Sequence, residues 1–157
     1  MLLVSTYRLS VWSPTAAGPE RLPAGEHLVD EVLDGPELRL ANGAVVRLQG
    51  LHALPSSESL IALEAKRLTA AKVDAAERRV HLSFLAERLA PDGVHLAFVE
   101  TNGVCLNEEL VRLGVARANL DYRSSGRMKR RLAAAQAEAR EAKRGLWVDV
   151  SVKPSIQ

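Results

Sequence analysis

The chain has 157 residues, 47% of them hydrophobic and 25% charged, with a formal net charge of +2. That length suits one domain with a full core, the balance excludes a disordered or fibrous chain, and so small a charge leaves any polyanion-binding surface to local clustering. Cys105 is the single cysteine, which excludes an intramolecular disulfide and a cysteine-based zinc site. The apolar start, Met1 to Val4, is too short for a membrane span. It also lacks the basic head and long apolar run of a signal peptide, so a soluble, cytoplasmic chain without membrane association is expected.

In chain order, Thr6 to Trp12 alternate as a strand, with Tyr7, Leu9 and Val11 on one face. Pro14, Gly18, Pro19 and Pro23 then break regular structure, so residues 1–23 read as an arm and linker, or equally as a disordered terminus. From Gly25, the apolar Leu28, Val29, Val32 and Leu33 lead into Asp34-Gly35-Pro36, a turn signal. Glu37 to Leu40 alternate, and Asn42-Gly43 is a hairpin signal. The return strand from Ala44 to Gln49 sets Val46 and Leu48 on one face against Val45, Arg47 and Gln49 on the other. Gly50 bends the chain and Pro55 stops it.

Ser56 or Ser57 is placed to cap a helix running to about Asp74, with Leu60, Ile61, Leu63, Leu68 and Val73 at helical spacing. Strands follow at Arg79 to Phe84 and Val94 to Thr101, separated by the turn Pro91-Asp92-Gly93. Asn102-Gly103 turns again, and a short helix from Asn107 to Leu113 ends at Gly114, a natural C-cap. Val115 to Tyr122 is irregular or weakly extended. A last helix spans about Arg127 to Arg144, stopped by Gly145, with Trp147 packing behind it. Three strands, a helix, two strands and two more helices predict a five-stranded β-barrel of the OB-fold type with three helices, an α+β domain over residues 24–149 with a tail at 150–157.

Several strings in this order resemble the staphylococcal-nuclease family. They are Asp34-Gly35 before a strand, VVRLQGL before a turn with Pro55, Glu64-Ala65 early in the helix, and GVHLAFV. The most specific is NGVCLNEELVRLGVARA, followed by an alanine-rich helix ending KRGLW; the span is roughly Gly25 to Trp147. The resemblance implies phosphodiester hydrolysis with one calcium ion held by two aspartates, a glutamate assigned to the attacking water, and two arginines on the phosphate. A hard cation prefers carboxylate oxygens, and phosphoryl chemistry needs fixed positive charge about the equatorial oxygens.

Carried over position by position, the first metal aspartate falls on Pro36 and the second on His52, in a turn with one residue inserted. The glutamate falls on Ser56 and the second arginine on Val94; only Arg47 keeps its type. Of a nucleotide-contacting tyrosine pair, the first position is Leu120 and the second is Tyr122. Glu37, beside Pro36, and Glu58 are the nearest carboxylates to hand. Four of five catalytic positions are therefore substituted. Loss of calcium binding is expected, with no metal or other cofactor and no calcium-dependent nuclease activity, since one missing electrostatic stabiliser alone costs about a hundredfold in rate or more.

His52 and His95 form either an acid–base or metal-binding pair or two unrelated surface histidines. Ser56, Ser57 and Ser59 lie near His52 but suit helix capping equally. Cys105 is expected to be buried and inert. Arg117, Arg123, Arg127, Lys129, Arg130 and Arg131 crowd together around Tyr122, with Asp121 the one opposing acid. On a barrel of this type they make a platform for a single strand, or else a solvated helix start. Positive charge at a helix N-terminus is electrostatically unfavourable, which favours a partner. The expectation is a catalytically inactive module that binds single-stranded nucleic acid or a protein through Arg47, Arg117, Tyr122, Arg123, Arg127 and Arg130. The alternatives are a hydrolase rebuilt around Arg47 and His52, and a structural subunit whose Thr6 to Trp12 strand adds to a partner's sheet.

Overall fold

The computed structural model of the chain describes residues 21–33, 36–52, 59–86, 88–121 and 126–148. The Thr6 to Trp12 strand, the Asp34-Gly35 turn, Ser56, Ser57, Tyr122, Arg123 and the tail lie outside these residues. Alternation decides the first three strands: β1 (Gly25–Val32), β2 (Glu37–Leu40) and β3 (Val45–Leu48) form an antiparallel meander. The register of β1 shifts between Val29 and Glu31. Its first half pairs with β4 (Arg79–Ser83) and its second half with β2, because a bulge bends a strand enough to serve two neighbours.

β5 (His95–Thr101) runs antiparallel to β4 and parallel to β3, with Leu48 level with Ala97. That last pairing closes a mixed five-stranded barrel in the order β1-β2-β3-β5-β4, an OB-fold, with three helices. Closure removes free sheet edges from the barrel. Leu38, Leu40, Val46, Leu48, Val80, Leu82 and Val99 fill its interior and are all but inaccessible to solvent. A two-residue strand, β6 (Val104–Cys105), extends β5 through Asn102 and Gly103, both in the left-handed region that such a turn requires.

The helices depart from the sequence reading in instructive ways. α1 (Leu60–Ala75) is capped by Ser59, whose Oγ accepts from the Ala62 N–H at 3.1 Å, rather than by Ser56 or Ser57. Its buried stripe is Ala62, Ala65, Thr69 and Val73, while Leu60 is 84% and Leu63 52% exposed. Helical spacing fits either stripe. Of the predicted stripe, Val73 is buried and Ile61 and Leu68 pack partly buried against the core, whereas Leu60 and Leu63 face solvent. β4 ends at Ser83, short of Phe84, and β5 starts at His95, one residue after Val94. Gln49, which alternation places on the face opposite Val46 and Leu48, is buried just past the end of β3, and its N–H donates to the Ala97 carbonyl at 2.8 Å.

α2 (Leu106–Arg112) buries Leu106, Leu110 and Val111. Its Asn107 is fully buried: Oδ1 accepts from Val99 N–H at 2.9 Å, and Nδ2 donates to the carbonyls of Gln49 at 2.8 Å and Ala97 at 3.1 Å. One side chain thus ties α2 to the β3–β5 seam. α3 (Gly126–Glu141) buries Met128, Leu132, Ala135 and Ala139 and ends earlier than Gly145, with Lys143 taking the left-handed conformation. A short 3-10 turn (Gly145–Trp147) then folds back. There Gly145 meets Gly114 so closely that a Cβ on Gly114 would stand 2.2 Å from the Arg144 carbonyl oxygen. Both glycines have positive φ, so backbone conformation and space each demand the absence of a side chain. No helix among the described residues is long and apolar enough to cross a membrane.

Candidate functional site

Counting back across the Asn42-Gly43 turn sets Glu37 opposite Arg47, and the two face each other in the β2–β3 ladder. Arg47 Nε donates to Glu37 Oε1 at 2.6 Å. Its Nη2 donates to Asp92 Oδ2 at 2.8 Å, reaching the turn that feeds β5. The Arg47 pKa is raised, first by the hydrogen bond to Asp92; partial burial opposes this, and Glu37 adds to it. Asp92 is correspondingly lowered, first by Arg47 and then by the Val94 N–H that it also accepts. The cluster holds two carboxylates and one guanidinium, an excess of one negative charge.

Among the described residues, the side chains of Pro36, Val94 and His52 add no hydrogen bond to this cluster. Pro36 is half-buried, and its carbonyl accepts from Leu48 N–H at 2.9 Å, so it serves the ladder and offers no side-chain ligand. Val94 is also half-buried, and its backbone N–H donates to Asp92 Oδ1 at 3.2 Å. His52 is exposed, and its backbone N–H donates to the Arg117 carbonyl at 2.9 Å. Among the described residues no hydrogen bond joins the His52 side chain to Arg47. His95 lies level with Val46, at the other end of β3 from His52; burial, then the charge of Arg88, lowers its pKa. The two histidines are not brought together. Among the described residues no three His, Cys, Asp or Glu side chains converge in a way that would hold a metal ion. Cys105 is half-buried rather than buried, and desolvation pushes its thiol pKa up, against the reactive thiolate.

The basic segment divides. Arg131 is tied to Glu108 at 2.6 Å, so it is not part of a free cationic patch. Arg127 and Arg130 are exposed on the first turns of α3, which carry no acidic residue, and have no carboxylate partner among the described residues. Arg127 lines a groove of about 370 Å³ with Ser83, Phe98, Cys105 and Met128. Arg117 lies elsewhere. An antiparallel bridge of Leu51 with Ala118 extends the end of β3 and sets His52 directly across from Arg117. The Arg117 guanidinium packs 5.2 Å from the centre of the Trp147 ring, and Arg140 packs 4.3 Å from it. The sequence places Trp147 merely behind the last helix, and its two cationic neighbours have no local signal.

Asp92 and Asn107 escape sequence reasoning as organising residues. Asp92 meets Arg47 across 45 positions of sequence, which no pattern announces. Asn107 stands inside the most specific string of the chain, but reads there only as a helix start. Glu37 is legible from the hairpin register.

A closed OB barrel with a helix inserted before its fourth strand, and an arginine on its third strand, defines a nuclease-like fold. A family model described as Staphylococcal nuclease homologue matches residues 46–149, so the chain belongs to that family. No individual curated protein matches the chain.

Proposed function

We propose that this chain is a catalytically silent nuclease-like module that binds single-stranded nucleic acid. The observation that carries the silent half is the engagement of Arg47 by Glu37 and Asp92. A phosphate approaching Arg47 would have to displace two acids and then face them. With Pro36, His52, Ser56 and Val94 at the remaining positions, calcium binding and water activation have no carboxylates of the family pattern to use.

Cations away from that cluster support the binding half. Arg117, Arg127 and Arg130 are exposed and free of carboxylate partners among the described residues, and Arg123 and Tyr122 add to the same stretch of chain. Phosphates are tracked by such arginines in sequence-independent single-strand binding. Fluorescence anisotropy with a labelled single strand at two salt concentrations tests this. Binding that weakens steeply with salt is expected. No binding at low salt, with a protein partner instead recovered in a salt-insensitive complex, would replace nucleic acid by protein as the ligand.

A further inference from the structure

We infer that the phosphate backbone of the bound strand follows a ridge formed by Arg117, Trp147 and Arg140, displaced from the relic arginine Arg47. The inference rests on the nucleic-acid reading above and gives it a location. Three separate elements bring these side chains together. The Leu51–Ala118 bridge holds Arg117 against the end of β3. The Leu146 N–H donates to the Gly114 carbonyl at 2.8 Å and fixes the turn that carries Trp147. The last third of α3 supplies Arg140.

An aromatic face holds a cation through its quadrupole, but two guanidiniums on one indole repel each other. Elsewhere on the chain that repulsion is relieved by acids. Arg112 is bonded to Glu108, Glu109 and Glu138, Arg131 to Glu108, and Arg144 to Glu138. Glu108, Glu109 and Glu138 are thereby engaged. Arg117 and Arg140 remain exposed, with no carboxylate partner among the described residues. Their fork-shaped donors are fixed by ring packing, so little freedom is lost when they bind phosphate oxygens. A planar guanidinium also offers a face on which a base can stack, which an acidic protein segment would not use.

The test is anisotropy of a labelled single strand of about 12 nucleotides, measured across a salt series. Replacing both cations, Arg117→Gln with Arg140→Gln, should flatten the log–log salt dependence by about 1.4, at about 0.7 for each phosphate no longer neutralised. Arg117→Lys with Arg140→Lys should keep the wild-type slope, because charge rather than ring packing sets it. Melting curves accompany each variant. If the double Gln variant does not fold, each single Gln variant retains one cation on the ring and should flatten the slope by about 0.7. An unchanged slope in the Gln variants, with the loss found instead in Arg127→Gln and Arg130→Gln, would overturn the ridge and leave the binding reading standing. Failure of the unmodified protein to bind at low salt would overturn both.

Discussion

Asn107→Ala is the substitution on which the barrel architecture depends most sharply. The side chain is inaccessible to solvent and makes three hydrogen bonds to the backbone, one accepted from Val99 and two donated to Gln49 and Ala97. The Ala97 carbonyl also accepts from Gln49 N–H at 2.8 Å, so it stays satisfied in part after the truncation. The Val99 N–H and the Gln49 carbonyl lose their Asn107 partner in a buried seam. A buried polar group left unmade costs about 1–3 kcal/mol, and a net hydrogen bond contributes about 1 kcal/mol. Two such groups and one broken bond give an expected loss of about 3–7 kcal/mol. That is a large share of the stability of a domain this size, typically about 5–15 kcal/mol. Urea unfolding should show the midpoint falling by about 2 M at an unchanged slope. A midpoint shift under about 0.5 M would refute the reasoning, since it would mean that water or a backbone shift replaces the side chain freely. The consequence for function is direct. The β3–β5 seam sets Arg47 against Asp92, so loosening it should also weaken that ion pair.

Further outcomes follow from single side chains. Gly114→Ala should destabilise by about 2–4 kcal/mol, because its Cβ would strike the Arg144 carbonyl at a backbone conformation that suits glycine; a melting temperature near wild type would contradict the close approach. Thr69→Val should be neutral or stabilising by about 1 kcal/mol, since the buried Thr69 hydroxyl has no hydrogen-bond partner among the described residues; denaturant unfolding that shows a clear loss would mean the hydroxyl is satisfied. Asp92 has a pKa held below its ordinary value by Arg47, so its contribution is fully present above the unfolded-state value and is lost as pH falls through the folded one. Acid unfolding below about pH 4 should therefore be shallower in Asp92→Asn than in the unmodified protein, and identical acid limbs would count against the pair.

Much of the fold is legible because short-range signals agree. Asn42-Gly43 and Asn102-Gly103 mark two hairpins, and the alternation from Glu37 to Leu48 sets the faces of β2 and β3. The inner stripe of α1 is legible only in part: Val73 is buried and Ile61 and Leu68 pack against the core, but Leu60 and Leu63 match the helical period as well as the buried Ala62 and Ala65 do. The end of α3 is misplaced because Gly145 is a stronger local signal than Lys143, although it is Lys143 that leaves the helix with positive φ. At the site, the pairing of Glu37 with Arg47 can be read from the hairpin register. That Arg47 is held by an acid from each side cannot, since Asp92 reaches it only once β3 and β5 close the barrel.

The central claim is that Arg47 no longer serves phosphoryl chemistry because Glu37 and Asp92 occupy it. The most direct measurement is cleavage of labelled single-stranded DNA and RNA by the purified protein with added calcium, beside Arg47→Ala. The account predicts intact substrate in both. Calcium-dependent cleavage by the unmodified protein that disappears in Arg47→Ala would contradict it.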